Sequence, residues 1–175
     1  MPKSLSRRSI SLAAVLSLFF SLFLAAPSQA LEQRIIDVAS VTWTRAGALP
    51  GTVTGVKDQI STIVSPMWKQ LTTVYGDPND KRIEFVPGQA LPDPIRLNFA
   101  IPCDSNFNTW TSSVRTETYK RLGISDYQNR YLVIMTPNAG CIWSGRALIG
   151  SFDKPGGVVA LHNSDEGFII AHELG

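Results

Sequence analysis

Hydrophobic positions along this chain switch repeatedly between two periods. Ile35 to Arg45 is rich in β-branched residues and carries Trp43, which predicts a first strand. After a loop at Gly47 to Gly51, Val56, Ile60, Ile63, Met67, Leu71 and Val74 recur at three and four residues, one face of an amphipathic helix. Pro66 falls within it and predicts a kink or a split, because proline has no N–H and its ring meets the preceding turn. Gly76-Asp77-Pro78-Asn79-Asp80 predicts a stop and a turn.

Ile83 to Val86 is a short strand candidate, and the prolines of Pro87 to Pro94 predict a loop. Ile95, Leu97, Phe99 and Ile101 alternate against Arg96 and Asn98, which predicts a half-buried strand over Ile95 to Ile101. Asn106 to Leu122 predicts a helix with Trp110, Val114 and Leu122 inward and Gly123 as its stop. Tyr131 to Met135, Arg146 to Phe152 and Val158 to Leu161 are apolar strand candidates, the second bounded by Gly145 and Lys154-Pro155-Gly156-Gly157. Asn163, Ser164 and Asp165 are candidate N-caps of a last helix, with Asp165 and Glu166 placing negative charge at its positive end. Strands alternating with helices, then strands in succession, imply an α/β (α+β) domain built on a mixed sheet.

Composition then divides the chain. Lys3, Arg7 and Arg8 precede an uncharged apolar run, Ile10 to Ala26, and Ser28-Gln29-Ala30 resembles a cleavage site. Residues 1–30 read as a secretory signal peptide and 31–175 as the exported domain. A membrane anchor is the rival reading, but the run falls short of the roughly 20 residues that span a bilayer. The leader holds three of the 16 basic residues and none of the 14 acidic ones, so the rest carries 13 against 14, a net charge of −1. Without a basic run or stripe there is no footprint for nucleic acid. No second long apolar stretch follows, so no stable membrane association is expected after cleavage. Cys103 and Cys141 are the only cysteines, and export favours a disulfide between them. Two alternatives stay open: a pair of buried free thiols, or Cys103 holding off a metal in a latent form.

The chemistry concentrates at the end of the sequence. His172-Glu173-Leu174-Gly175 follows the apolar stretch Gly167 to Ala171 and supplies the H-E-x-x of a zinc peptidase helix. Residues four apart share a helix face, so paired imidazoles there grip Zn2+ while the intervening Glu takes a proton from the attacking water. The bland alternative is a surface helix with an exposed His and Gly175 as its C-cap. His162 matches no such spacing and reads as a structural histidine at a strand end. No G-x-S-x-G and no Gly-rich phosphate loop occur in the sequence.

Several stretches together carry a family resemblance. Gly145-Arg146-Ala147-Leu148-Ile149-Gly150-Ser151 resembles the G-x-A-x-v-G strand of metzincin peptidases of the adamalysin and gametolysin kinds. Gly157 to Asn163 resembles their next strand, Ala171 to Gly175 the start of their A-H-E-L-G-H helix, and Cys141-Ile142-Trp143-Ser144-Gly145 the C-x-W-x-G stretch of the gametolysin group. The Cys that follows the edge strand in adamalysins is missing; Phe152 and Asp153 stand there. The resemblance implies a mostly parallel twisted sheet with an antiparallel edge strand and a zinc endopeptidase acting on a protein or peptide substrate. In it His172 is a zinc ligand, Glu173 the catalytic general base, and Arg146, Ala147, Leu148, Ile149, Gly150 and Ser151 the edge along which substrate binds. It places the second and third His ligands and a Met-containing turn beyond Gly175. The rival class is a secreted, non-enzymatic binding domain, or an inactive fragment, on the same scaffold.

Overall fold

The computed structural model describes residues 31–74 and 82–175. The expected signal peptide, residues 1–30, and the turn expected at Gly76 to Asp80 lie outside them. Among the described residues no helix is long and apolar enough to cross a membrane.

Strand β1 (Leu31–Trp43) is longer than the pattern predicts, because its polar start pairs with β2 (Arg82–Ala90). β3 (Ile95–Leu97) pairs with the end of β1, and β4 (Tyr131–Thr136) and β6 (Gly157–His162) are buried along their whole lengths. β5 (Gly145–Ile149) pairs antiparallel with β6 alone; every other pairing is parallel. The strand order is β2-β1-β4-β6-β5, which leaves β5 at an edge. This is a mixed, mostly parallel six-stranded sheet with an antiparallel edge.

Alternation sorts the core onto two faces. Ile36, Val38, Val133, Met135, Val159 and Leu161 pack with Val56, Ile60, Val64, Ile170 and Ala171 from helices on one face. Ala39, Val41, Leu132, Ile134, Val158 and Ala160 pack with Phe107, Trp110, Val114 and Tyr119 of α3 (Phe107–Leu122) on the other. Gly123 ends α3 with a positive φ of 69°, as its position predicts.

The long amphipathic helix is α1 (Val53–Gln59), a π turn (Ile60–Val64) and α2 (Ser65–Val74). The ring of Pro66 collides with a regular turn and supplies no N–H, and the π turn in front of it absorbs one extra residue. That residue shifts the phase of the helix, so Val64 is buried while Ile63 is only half-buried.

Three expectations shift. β2 continues through Pro87 to Ala90, where a loop was expected, because an outer strand tolerates a missing donor. Its register slips between Ile36 and Val38, and the carboxylate of Asp37 accepts the N–H of Gln89 at 2.7 Å in place of a ladder bond. The strand expected over Ile95 to Ile101 stops at Leu97. The edge strand stops at Ile149, so Gly150 and Ser151 belong to the hairpin turn, with the N–H of Gly150 bonded to the carbonyl of Gly156 at 2.7 Å.

Candidate functional site

The last helix, α4 (Gly167–Glu173), begins after Glu166, not at the predicted caps Asn163, Ser164 or Asp165. Its cap comes from another helix. The amide oxygen of Gln59 accepts the N–H of Gly167 at 2.6 Å, and the amide nitrogen donates to the carbonyl of Asp165 at 2.7 Å. A side chain at 167 would crowd Gln59 and Ile63, so glycine allows that approach. At the far end the indole of Trp68 donates to the carbonyl of Ala171 at 3.3 Å. Ile170, Ala171 and Leu174 are buried, which fixes the rotation of the helix.

That rotation decides where the motif residues lie. His172 is exposed, on the same side as Phe168 one turn earlier, and its imidazole has no partner among the described residues. Glu173 is half-buried and turns towards the start of β5. A methyl group on Gly145 would stand 2.9 Å from both Cγ and Oε1 of Glu173 and 2.5 Å from Cγ2 of Ile169. The missing Cβ at 145 therefore lets the helix carrying the carboxylate sit against the edge strand.

The edge itself has a readable polarity. The N–H of His162 bonds to the carbonyl of Ser144 at 2.9 Å, and that of Gly150 to the carbonyl of Gly156 at 2.7 Å. Counting by twos between these two bonds, Arg146 and Leu148 aim their backbone groups at β6. Gly145, Ala147 and Ile149 aim theirs outward, at an edge with no strand beside it among the described residues. Leu148 and Ile149 also present exposed side chains. Gly150 and Ser151 flank this edge from the turn.

A brace holds the start of β5. Cys103 and Cys141 form a disulfide, with Cα atoms 5.1 Å apart, joining the approach to α3 with the loop before β5. Neither free thiols nor a metal-blocking Cys103 is compatible with that bridge. The carbonyl of Cys103 accepts from the Trp143 indole at 2.9 Å and from Nη1 of Arg146 at 3.0 Å. The Arg146 guanidinium lies 4.7 Å from the centre of the Phe107 ring. His162 is buried and engaged at both nitrogens: Nε2 accepts the N–H of Ala139 at 2.8 Å, and Nδ1 lies 3.1 Å from the carbonyl of Trp143. It is structural, as its position at a strand end predicts.

Zinc places a definite demand on these residues. A catalytic zinc takes three protein ligands. Among the described residues no group of three or more His, Cys, Asp or Glu stands together to hold a metal. His172 is a chemically suitable single donor. Pattern reasoning missed Gln59, Trp68 and the Gly145–Glu173 contact, because each joins segments distant in sequence. Compared with known proteins, the sequence matches no family model and no curated protein.

Proposed function

We propose that this chain is part of an exported zinc endopeptidase of metzincin type, with His172 as one metal ligand and Glu173 as general base. One observation carries the reading: Glu173 packs at the start of an open, antiparallel edge strand, next to an exposed imidazole that has no partner among the described residues. The edge strand expected of such an enzyme and the helix expected to bear its base meet at Gly145. The remaining zinc ligands come from outside the described residues on this reading.

Each residue has a defined task. The outward N–H and C=O groups of Ala147 and Ile149 pair with an extended peptide and fix its register. Zinc, when bound, supplies a Lewis acid that acidifies water and polarises a carbonyl. Glu173 takes the proton from the attacking water and delivers it to the leaving amine nitrogen, so one carboxylate serves as base and then as acid. Gly145 sets its distance from the strand.

The native protein, purified as exported, should contain zinc and cleave unstructured peptides, and a chelator should remove both properties. Glu173→Ala should keep the zinc and lower kcat/KM by about 10²–10⁴-fold, the range of a lost general acid–base. Unchanged cleavage by that variant removes Glu173 from its role. A chain ending at Gly175 should bind zinc weakly and cleave nothing; chelator-sensitive activity there means the ligands are wrongly assigned. The second reading, a secreted peptide-binding domain without catalysis, is favoured by the open edge of β5 together with the lone imidazole. It predicts peptide binding with no bound zinc in the native protein.

A further inference from the structure

The face of the sheet turned away from α4 carries a concavity of about 570 Å³, opening between α3, the loop before β4 and the β5–β6 hairpin. Leu148, Ile149 and Gly150 form one wall of it. Its charged lining is entirely cationic: Arg115 from α3 and Lys154 from the hairpin, with the amides of Asn108 and Asn129 beside them. Arg115 is held in place through Nη2, which donates to the carbonyls of Tyr127, Gln128 and Arg130 at 2.7, 3.2 and 3.1 Å. Its guanidinium lies 5.4 Å from the Tyr127 ring centre, and its Nε is buried without a partner. Neither Arg115 nor Lys154 has a carboxylate partner among the described residues. Two cations in a walled concavity, with no counter-charge among the described residues, focus a positive potential there.

Side-chain alternation ties this concavity to the open edge. Gly145 and Ala147 face α4, whereas Arg146 and Leu148 face α3. Neighbours across a strand pair put their side chains on the same face. A peptide residue lying opposite Leu148 therefore sends its side chain towards Arg115 and Lys154. We propose that the concavity receives a carboxylate side chain of an extended peptide paired along β5.

The proposal deepens the peptidase reading by naming a substrate class, but the binding itself needs no metal. Gly145, beside Glu173, lies three residues before Leu148, or about 10 Å along the strand. The acidic residue then sits about three positions from the peptide segment next to Glu173. The shared chemistry is an anion held by Arg115 and Lys154, and free phosphate is the competing source.

The test uses the full chain and fluorescently labelled extended peptides that differ only in Glu, Gln or Lys at one central position. Anisotropy should show the Glu peptide binding about tenfold more tightly than the Gln peptide, with the gap shrinking as salt rises. Lys154→Glu, at an exposed turn position, should reverse the order in favour of the Lys peptide without changing the thermal melt. Equal affinity for all three peptides overturns the proposal. So does inorganic phosphate that binds in a Lys154-dependent way while the Glu and Gln peptides bind alike, which makes the concavity a free-anion site. A native protein that prefers the Glu peptide yet cleaves nothing removes the peptidase reading and leaves the concavity. One that cleaves with no such preference removes the concavity alone.

Discussion

Single residues in this chain act mostly through what they leave out or where they cap. Gly145 leaves out a methyl group, and the space is filled by Ile169 and Glu173. Gly145→Ala should force α4 away from β5, because the branched Ile169 side chain has no room to retreat into a packed core. Overpacking of this kind costs about 1–3 kcal/mol. Denaturant unfolding should show that loss, and on the proposed peptidase reading the variant should keep its zinc while kcat falls about tenfold or more. A variant as stable and as active as the parent means the Glu173 contact has no structural hold. His172 and Glu173 stand out in the sequence as candidates because the H-E pair is a local signal carried by adjacent residues. Gln59 was not, since a side chain capping a helix more than 100 positions away leaves no local trace. His162 was legible only as far as its place at a strand end; its two bonds to the loop before β5 depend on that loop's path.

Elements were legible where one period ran without interruption. The buried strands β4 and β6 and the helix closed by Gly123 lie where the pattern puts them. Errors came at edges and irregularities. Pro87 argued for a loop, yet an outer strand has no use for its N–H on the open side. The π turn moved the buried set from Ile63 to Val64 in a way no fixed period predicts. The polarity of β5 gives a paired prediction. Ile149→Pro removes an outward N–H, so the fold should melt within a few degrees of the parent while peptide pairing weakens. On the proposed peptidase reading kcat/KM should fall about tenfold, one main-chain hydrogen bond plus its register. Leu148→Pro removes an N–H that faces Val158, leaves a buried carbonyl unpaired, and should cost about 1–3 kcal/mol of stability. If Ile149→Pro unfolds the protein and Leu148→Pro does not, the register along this edge is the reverse of the one described.

At the scale of the whole molecule, the pattern established a mixed sheet but not its order, because crossovers place β6 between β4 and β5 without a local signal. The disulfide links that global arrangement to the candidate site. Its 38-residue span encloses α3 and β4, elements of the second core, and its anchor points flank the loop that delivers Arg146 to the edge. Closing a loop of this length restricts the unfolded chain and stabilises by roughly 2–4 kcal/mol in the chain-entropy account. The carbonyl of Cys103 also receives two donors, Trp143 and Arg146, so losing the bridge loosens the edge strand as well as the global fold. A Cys103→Ser, Cys141→Ser double variant should therefore show two separate effects. Urea unfolding should report the global loss. Amide exchange should rise at Trp143 to Ala147 before the core strands open, since local opening there no longer has to stretch a covalent link. Native protein in which mass mapping finds two free thiols overturns this account. A double variant whose exchange rises uniformly, in step with its global stability, would show that the bridge acts only on the unfolded chain and does not hold the edge strand in place.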